Sequence, residues 1–480
     1  MAAISSLGIG SGLDLNTLLA GMKSAEQAPL AALQSQQTSY TTKLTAYGQL
    51  SGALSGLQSA AAALAKPALF QGVKANSTAS DVVTATALST ATSGTYALDV
   101  KQLSQAQSVA TTGVASSTAA IGGGTVTIQF GTVTGAAADP VTGKFTGATF
   151  TAGATPASPI TIAAGSTMAG IRDAINGNAT SGVTASIVND GGATPNRLVL
   201  TSKLTGEASS MKITVTGDTA LSNLLANDPA ATQNLQQTVA AQNTKLTVNG
   251  IAITSPTNSV AGAVQDVTMS VSKIGATTLK VEQDSASVQS AVSTFVTAYN
   301  SLQSVASRLT AFDPASKSGA VLLGDSTLRN IQTGIRSALT SAQTDDGSGL
   351  TTLSQIGVAI QKDGTLALDS TKLTAALAGK MSGVANLFSA GTGGFGTKMS
   401  TLLGGYTNST DGVLTSATKG INKTLDSLAK QYTVTSERID ATIERYKSQF
   451  SQLDVMMSRM NQTSTYLTAQ FEALNNTNNK

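Results

Sequence analysis

The sequence predicts an α+β multidomain fold: long terminal α-helices forming a coiled coil, with nested β-rich domains inserted between them. Three observations predict it. Apolar residues recur at seven-residue spacing towards both ends of the 480-residue chain. The middle is rich in Thr and Gly, nearly uncharged, and alternates apolar with polar positions. A helical period then returns from about residue 284.

Taken in order, residues 30–65 carry the first stripe. Leu33, Tyr40, Tyr47, Leu54 and Ala61 stand seven apart, flanked by Leu30 and Leu44 early and by Leu50, Leu57 and Leu64 later. That drift is what a helix near 3.6 residues per turn shows against a 3.5-residue repeat. Pro29 suits its first turn and Pro67 ends it.

Strands are expected at 81–88, 95–103, 124–130, 144–150, 183–188, 197–201 and 211–215. Two more, 245–248 and 251–254, flank Asn249-Gly250, a two-residue hairpin signal. Residues 267–272 and 277–281 read as another antiparallel pair. From 102 to 171 only Asp139 and Lys144 are charged.

Val288, Val292, Phe295, Tyr299, Leu302 and Val305 then line one helical face, and 325–341 form a further helix. Residues 356–361 and 366–368 bracket Lys362-Asp363-Gly364 as a hairpin, and two short helices precede Phe388. The strongest period lies at the end: Ile439, Ile443, Tyr446, Phe450, Leu453, Met457, Met460, Ser464, Leu467, Phe471 and Leu474 alternate by four and three. Ten charges fall between residues 419 and 447, mostly off this stripe. The reading is one amphipathic helix of about 50 residues, roughly 75 Å long at 1.5 Å per residue, whose partner is the N-terminal helix, another copy, or both.

The chain is thus expected to go out and come back. Residues 1–40 and 415–480 would form a coiled-coil leg, and 41–70 with 284–414 a mixed helical and hairpin domain. Residues 71–115 with 240–283 would form one β-rich head domain, and 116–239 a second inserted into it.

Composition removes much chemistry. There is no cysteine, histidine or tryptophan. This excludes a Ser-His-Asp triad, a Cys-His dyad, an ordinary zinc site and disulfides. Only 11% of residues are charged and the net charge is +3, so no strong electrostatic pull towards nucleic acid or an anionic membrane is expected. The N-terminus lacks the basic segment and unbroken apolar run of a cleavable signal, and no run of about 18 apolar residues suggests a membrane span. Export by a route that reads no cleavable signal is the sharper expectation.

Candidate sites are few. Gly8-Ile9-Gly10-Ser11-Gly12 follows no strand and breaks the dinucleotide-binding spacing, so a terminal loop is the better reading. Asn189-Asp190-Gly191-Gly192, Asp345-Asp346-Gly347, Asp363-Gly364 and Asp411-Gly412 lack calcium-loop spacing and read as turns. No catalytic residue, cofactor or metal is expected. The C-terminal seam is the one feature that points to function. Tyr446, Phe450, Leu453, Met457, Met460, Leu467, Phe471 and Leu474, with Leu33, Tyr40, Tyr47 and Leu54, are the expected oligomer or partner interface. Met456, Met457 and Met460 are adaptable enough to pack against more than one mate. So apolar a stripe predicts self-association or a chaperone before assembly.

Several segments carry a resemblance. They are Ile4-Ser5-Ser6-Leu7-Gly8-Ile9-Gly10-Ser11-Gly12-Leu13-Asp14, Tyr47-Gly48-Gln49-Leu50 and Tyr96-Ala97-Leu98-Asp99-Val100-Lys101-Gln102-Leu103. Further on come Gly357-Val358-Ala359-Ile360, Asp363-Gly364-Thr365-Leu366-Ala367-Leu368-Asp369 and the seam over 445–470. In that order they resemble the bacterial flagellar filament cap family, hook-associated protein 2. Ile171-Arg172-Asp173-Ala174-Ile175-Asn176, Val183-Thr184-Ala185-Ser186 and Leu198-Val199-Leu200-Thr201-Ser202 resemble the repeat shared by flagellins and axial proteins.

The resemblance implies a secreted homo-oligomeric ring at the distal filament tip. It implies that the ring promotes polymerisation of exported flagellin and prevents its loss, as motility requires. Implied partners are other copies, flagellin, hook–filament junction proteins and an export chaperone on the C-terminal helix, with no nucleic acid and no membrane insertion. The terminal helices would be legs and the β-rich domains a plate. Two alternatives stand beside it: a hook–filament junction protein, and a secreted adhesin binding host glycans through the Thr-rich head.

Overall fold

The computed structural model describes residues 14–135 and 137–477. The glycine-rich 8–12 segment and residues 4–13 of the N-terminal signature lie outside the described residues. Contacts divide the chain into two units, Met1–Phe70 with Ser285–Lys480, and Gln71–Asp284.

The first unit is helical. Asp14 caps helix Leu15–Glu26 by accepting from the Thr17 amide at 3.0 Å. Gln27 separates it from Ala28–Leu64, which has Pro29 in its first turn. Ser285–Thr310, Ser326–Thr340, Ser370–Ser389, Phe395–Thr407 and the 65-residue Val413–Thr477 follow. At 1.5 Å per residue the last is about 98 Å long, beyond the 50 residues expected, because Leu414, Ile421 and Leu428 extend its buried face towards residue 413. The two short helices expected before Phe388 are the halves of Ser370–Ser389, interrupted at Lys380 (φ −143°, ψ 42°).

Tyr47, Leu50, Leu54, Leu57 and Leu64 meet Val292, Phe295 and Tyr299 in one core. Phe295 stands edge-on to Phe395 at 5.4 Å, and Phe70 stacks on Phe388 at 6.0 Å. Gly396 lets its helix approach closely, since a Cβ there would lie 2.7 Å from the Ala65 nitrogen. The hairpin Val358–Ile360 with Leu366–Leu368 is held by Asn300, whose Nδ2 donates to the Leu366 carbonyl at 2.8 Å and whose Oδ1 accepts from the Leu366 amide at 2.7 Å.

The second unit has two apolar clusters. One lies between a five-stranded antiparallel sheet, in the order Val73–Ser77, Gly275–Gln283, Gly94–Gln102, Thr244–Val248, Ile251–Ser255, and a three-stranded sheet of Ser259–Val264, Val267–Val271 and Val83–Ala87. Leu98, Val100, Leu246, Met269 and Leu279 fill it. The Asn249-Gly250 turn has positive φ at both positions (49° and 84°), as a type I′ hairpin demands.

The other cluster is built by Ser108–Thr111, Ala120–Thr134, Ser158–Thr167, Val183–Asn189, Asn196–Ser202, Ser210–Gly217 and Leu235–Val239 with helices Met168–Gly177 and Thr219–Leu225. Val126, Ile128, Met168, Ile171, Ile175, Leu198, Leu200 and Ile213 are its centre.

Two strand expectations are corrected. Val267–Val271 does not pair with Gly275–Gln283. It pairs with Val83–Ala87 and Ser259–Val264, while Gly275–Gln283 pairs with Val73–Ser77 and Gly94–Gln102. Each strand buries alternate residues in one shared core, so the short link at 272–274 carries the chain between sheets rather than round a hairpin. The strand expected at 144–150 is Thr149–Ala152, because residues 139–144 are spent on a turn closed by Asp139.

Candidate assembly interface

The candidate interface is the apolar face of helix Val413–Thr477. Its proximal stretch is covered by its own chain: Leu414 and Ile421 belong to the main helical core. Ile439 and Ile443 pack with Leu30, and Leu19, Tyr432 and Tyr446 close that small cluster. The helix Leu15–Glu26 thus acts as a clasp. Sequence reading missed it, although Leu15, Leu18, Leu19 and Met22 have helical spacing directly after Asp14.

Beyond Tyr446 the cover thins. Phe450 and Met457 are half-buried. Leu453 is 39% exposed, Met460 57%, Leu467 48%, Phe471 64% and Leu474 59%. Off the stripe, Val455, Met456 and Tyr466 are exposed as well. The distal third therefore presents a row of large apolar groups to water among the described residues, which makes it the candidate interaction surface. A continuous α-helix keeps the four-three spacing on one face throughout.

The N-terminal members sort differently. Leu33 is half-buried, and Tyr40 is half-buried against the main core. Tyr47 and Leu54 are 3% and 0% exposed. The interface role expected for these two is corrected: they pack against Ser285–Thr310 and its neighbours inside their own unit, which leaves nothing for a partner to touch. The stripe is the same; the helix simply enters a core at residue 46.

Tyr47 also has a polar task. Its hydroxyl donates to Asp325 Oδ2 at 2.7 Å, and Lys43 Nζ reaches the same oxygen at 2.8 Å. Asp325 Oδ1 accepts from the Leu328 amide at 3.0 Å, capping helix Ser326–Thr340. Burial disfavours the Asp325 charge, but Lys43, the Leu328 amide and Tyr47 outweigh it and hold the carboxyl below its ordinary range. Burial, then the adjoining carboxylate, push the Tyr47 hydroxyl up. The hydrogen bond to Asp325 raises Lys43 against the opposing effect of burial. This triad ties helix Ala28–Leu64 to helix Ser326–Thr340.

Among the described residues no group of three or more Asp or Glu side chains could hold a metal ion. No helix among them is long and apolar enough to cross a membrane.

In chain order, long terminal helices flank β-rich insertions, and the distal face of the last helix is exposed among the described residues. The crystal structure of the flagellar cap protein FliD D1-D2-D3 domains from Escherichia coli superposes with a TM-score of 0.60 at 36% identity, covering 78% of this chain and 99% of that one. The patterns of the flagellar hook-associated protein 2 N-terminus and C-terminus match residues 11–107 and 241–462, and the flagellin hook IN motif matches 147–204.

Flagellar hook-associated protein 2 of Escherichia coli K12 is 41% identical over the full length of both chains. The A-type flagellar hook-associated protein 2 of Pseudomonas aeruginosa is 33% identical over 95% of each. The chain belongs to the flagellar hook-associated protein 2 family, the filament cap of the bacterial flagellum. The junction-protein and adhesin readings gain no support from these relatives.

Proposed function

We propose that the chain caps the distal tip of the filament as a homo-oligomeric ring, promotes ordered addition of exported flagellin and prevents its loss. The mechanism is steric and mechanical, with no covalent step. The carrying observation is the apolar row from Leu453 to Phe471, whose side chains stand exposed among the described residues. In the assembled cap this row packs against other subunits of the axial structure, including the hook–filament junction proteins when assembly begins. Before export, a chaperone on the C-terminal helix covers it. The terminal helices serve as legs and the β-rich unit as the plate.

Deleting the gene tests this. Hook-basal bodies should remain and flagellin monomer should appear in the medium. Normal filaments in the deletion strain would contradict the proposal.

A further inference from the structure

Val141 is the most exposed large apolar side chain among the described residues, at 88%. Its turn is pinned. Asp139 Oδ1 accepts from the amides of Val141 and Thr142 at 2.9 and 2.7 Å, and the Asp139 amide donates to the Lys144 carbonyl at 2.8 Å. The Gln237 amide donates to the Gly143 carbonyl at 2.9 Å, fixing the turn to strand Leu235–Val239. Gly143 (φ 65°) permits that approach, since a Cβ there would lie 2.8 Å from the Gln237 nitrogen. A lone exposed valine is ordinary; one held rigidly at a turn tip loses little entropy when it docks.

The same unit carries an open groove of about 540 Å³, lined by Val114, Ala120, Ile121, Ala220 and Leu224 among others. Thr112, Ser116 and Asn223 add polar groups to these walls, and the groove is wide enough to take the tip of a turn together with its apolar side chain. The charges beside knob and groove are complementary. Lys144, on the valine's turn, is exposed and makes no ion pair among the described residues. Asp218, at the start of the Thr219–Leu225 helix that walls the groove, is likewise exposed and unpaired by any cation among them. Its carboxylate accepts from the Gly123 amide at 2.7 Å.

We propose that Val141 of one copy seats in this groove on a second copy, with Lys144 facing Asp218. The inference rests on the homo-oligomeric reading above and names a surface for it. Knob and groove are unlike, so the contact is heterologous, the kind that closes into a ring when its rotation closes.

The absence of native cysteine makes the test clean. Full-length V141C and A220C are prepared separately, then treated with a short bismaleimide alone and mixed. The mixture should give a cross-linked dimer at least tenfold above either variant alone. V141D should lower the oligomeric fraction at least tenfold in native mass measurement, with an unchanged unfolding curve because the side chain is exposed. An intact oligomer with no mixed cross-link and no effect of V141D overturns this contact and leaves the ring standing. A monomer under all conditions with no cross-link overturns both. A mixed cross-link without any higher oligomer supports the contact and overturns the ring.

Discussion

The proximal and distal stretches of helix Val413–Thr477 obey one apolar period and meet opposite surroundings. Leu414, Ile421, Leu428, Ile439 and Ile443 are buried, at 3–8% exposure, by helices of their own chain. Leu453, Met460, Leu467, Phe471 and Leu474 continue the period with roughly half their surface in water. A heptad states that a face will be covered; it does not state by what. Helix Ala28–Leu64 repeats the lesson in reverse, since Leu33 is only half covered while Leu54, three heptads on, is in a core.

That contrast can be broken from either side. The largest effect on the isolated chain is expected from Leu54→Ala, which empties a fully buried site. Chemical unfolding should show a loss of about 2–5 kcal/mol. A smaller effect is expected at the Lys43–Tyr47–Asp325 triad. Its carboxyl has a folded pKa below the unfolded value, so its stabilisation is complete above about pH 4 and is lost as pH falls through the folded value. Lys43 has the opposite sign: its raised pKa contributes below the ordinary lysine value and is lost as pH rises through the folded one. Asp325→Asn should therefore be less stable than the parent near neutrality and lose less on acidification, read as unfolding midpoints from pH 6 to pH 2. The smallest effect is expected for Leu467→Ala, within about 0.5 kcal/mol on the isolated chain because the site is already wet.

Much of this was legible in the sequence. Four-three and seven-residue spacings located the long helices, and Asn249-Gly250 located its hairpin, because period and turn chemistry are local properties. Partners are not local. The strands Val267–Val271 and Gly275–Gln283 have the same alternation whether they pair or face each other across a core, and the structure separates them. Thr149–Ala152 slipped because Asp139 claims the preceding residues for a turn. The candidate interface was legible as a stripe, but Tyr47 and Leu54 could not be told from Leu467 and Phe471 by spacing. Only the surrounding helices distinguish a core from a surface awaiting one.

The most direct test of that surface is native mass and thermal unfolding measured on the same Leu453→Asp, Leu467→Asp double variant. Each carboxylate would be stranded in an apolar seam within the assembly but solvated on the isolated chain. The expected result is loss of the oligomer with the monomer's melting temperature unchanged. An oligomer of unaltered mass would contradict the assignment of the distal seam as an intersubunit surface.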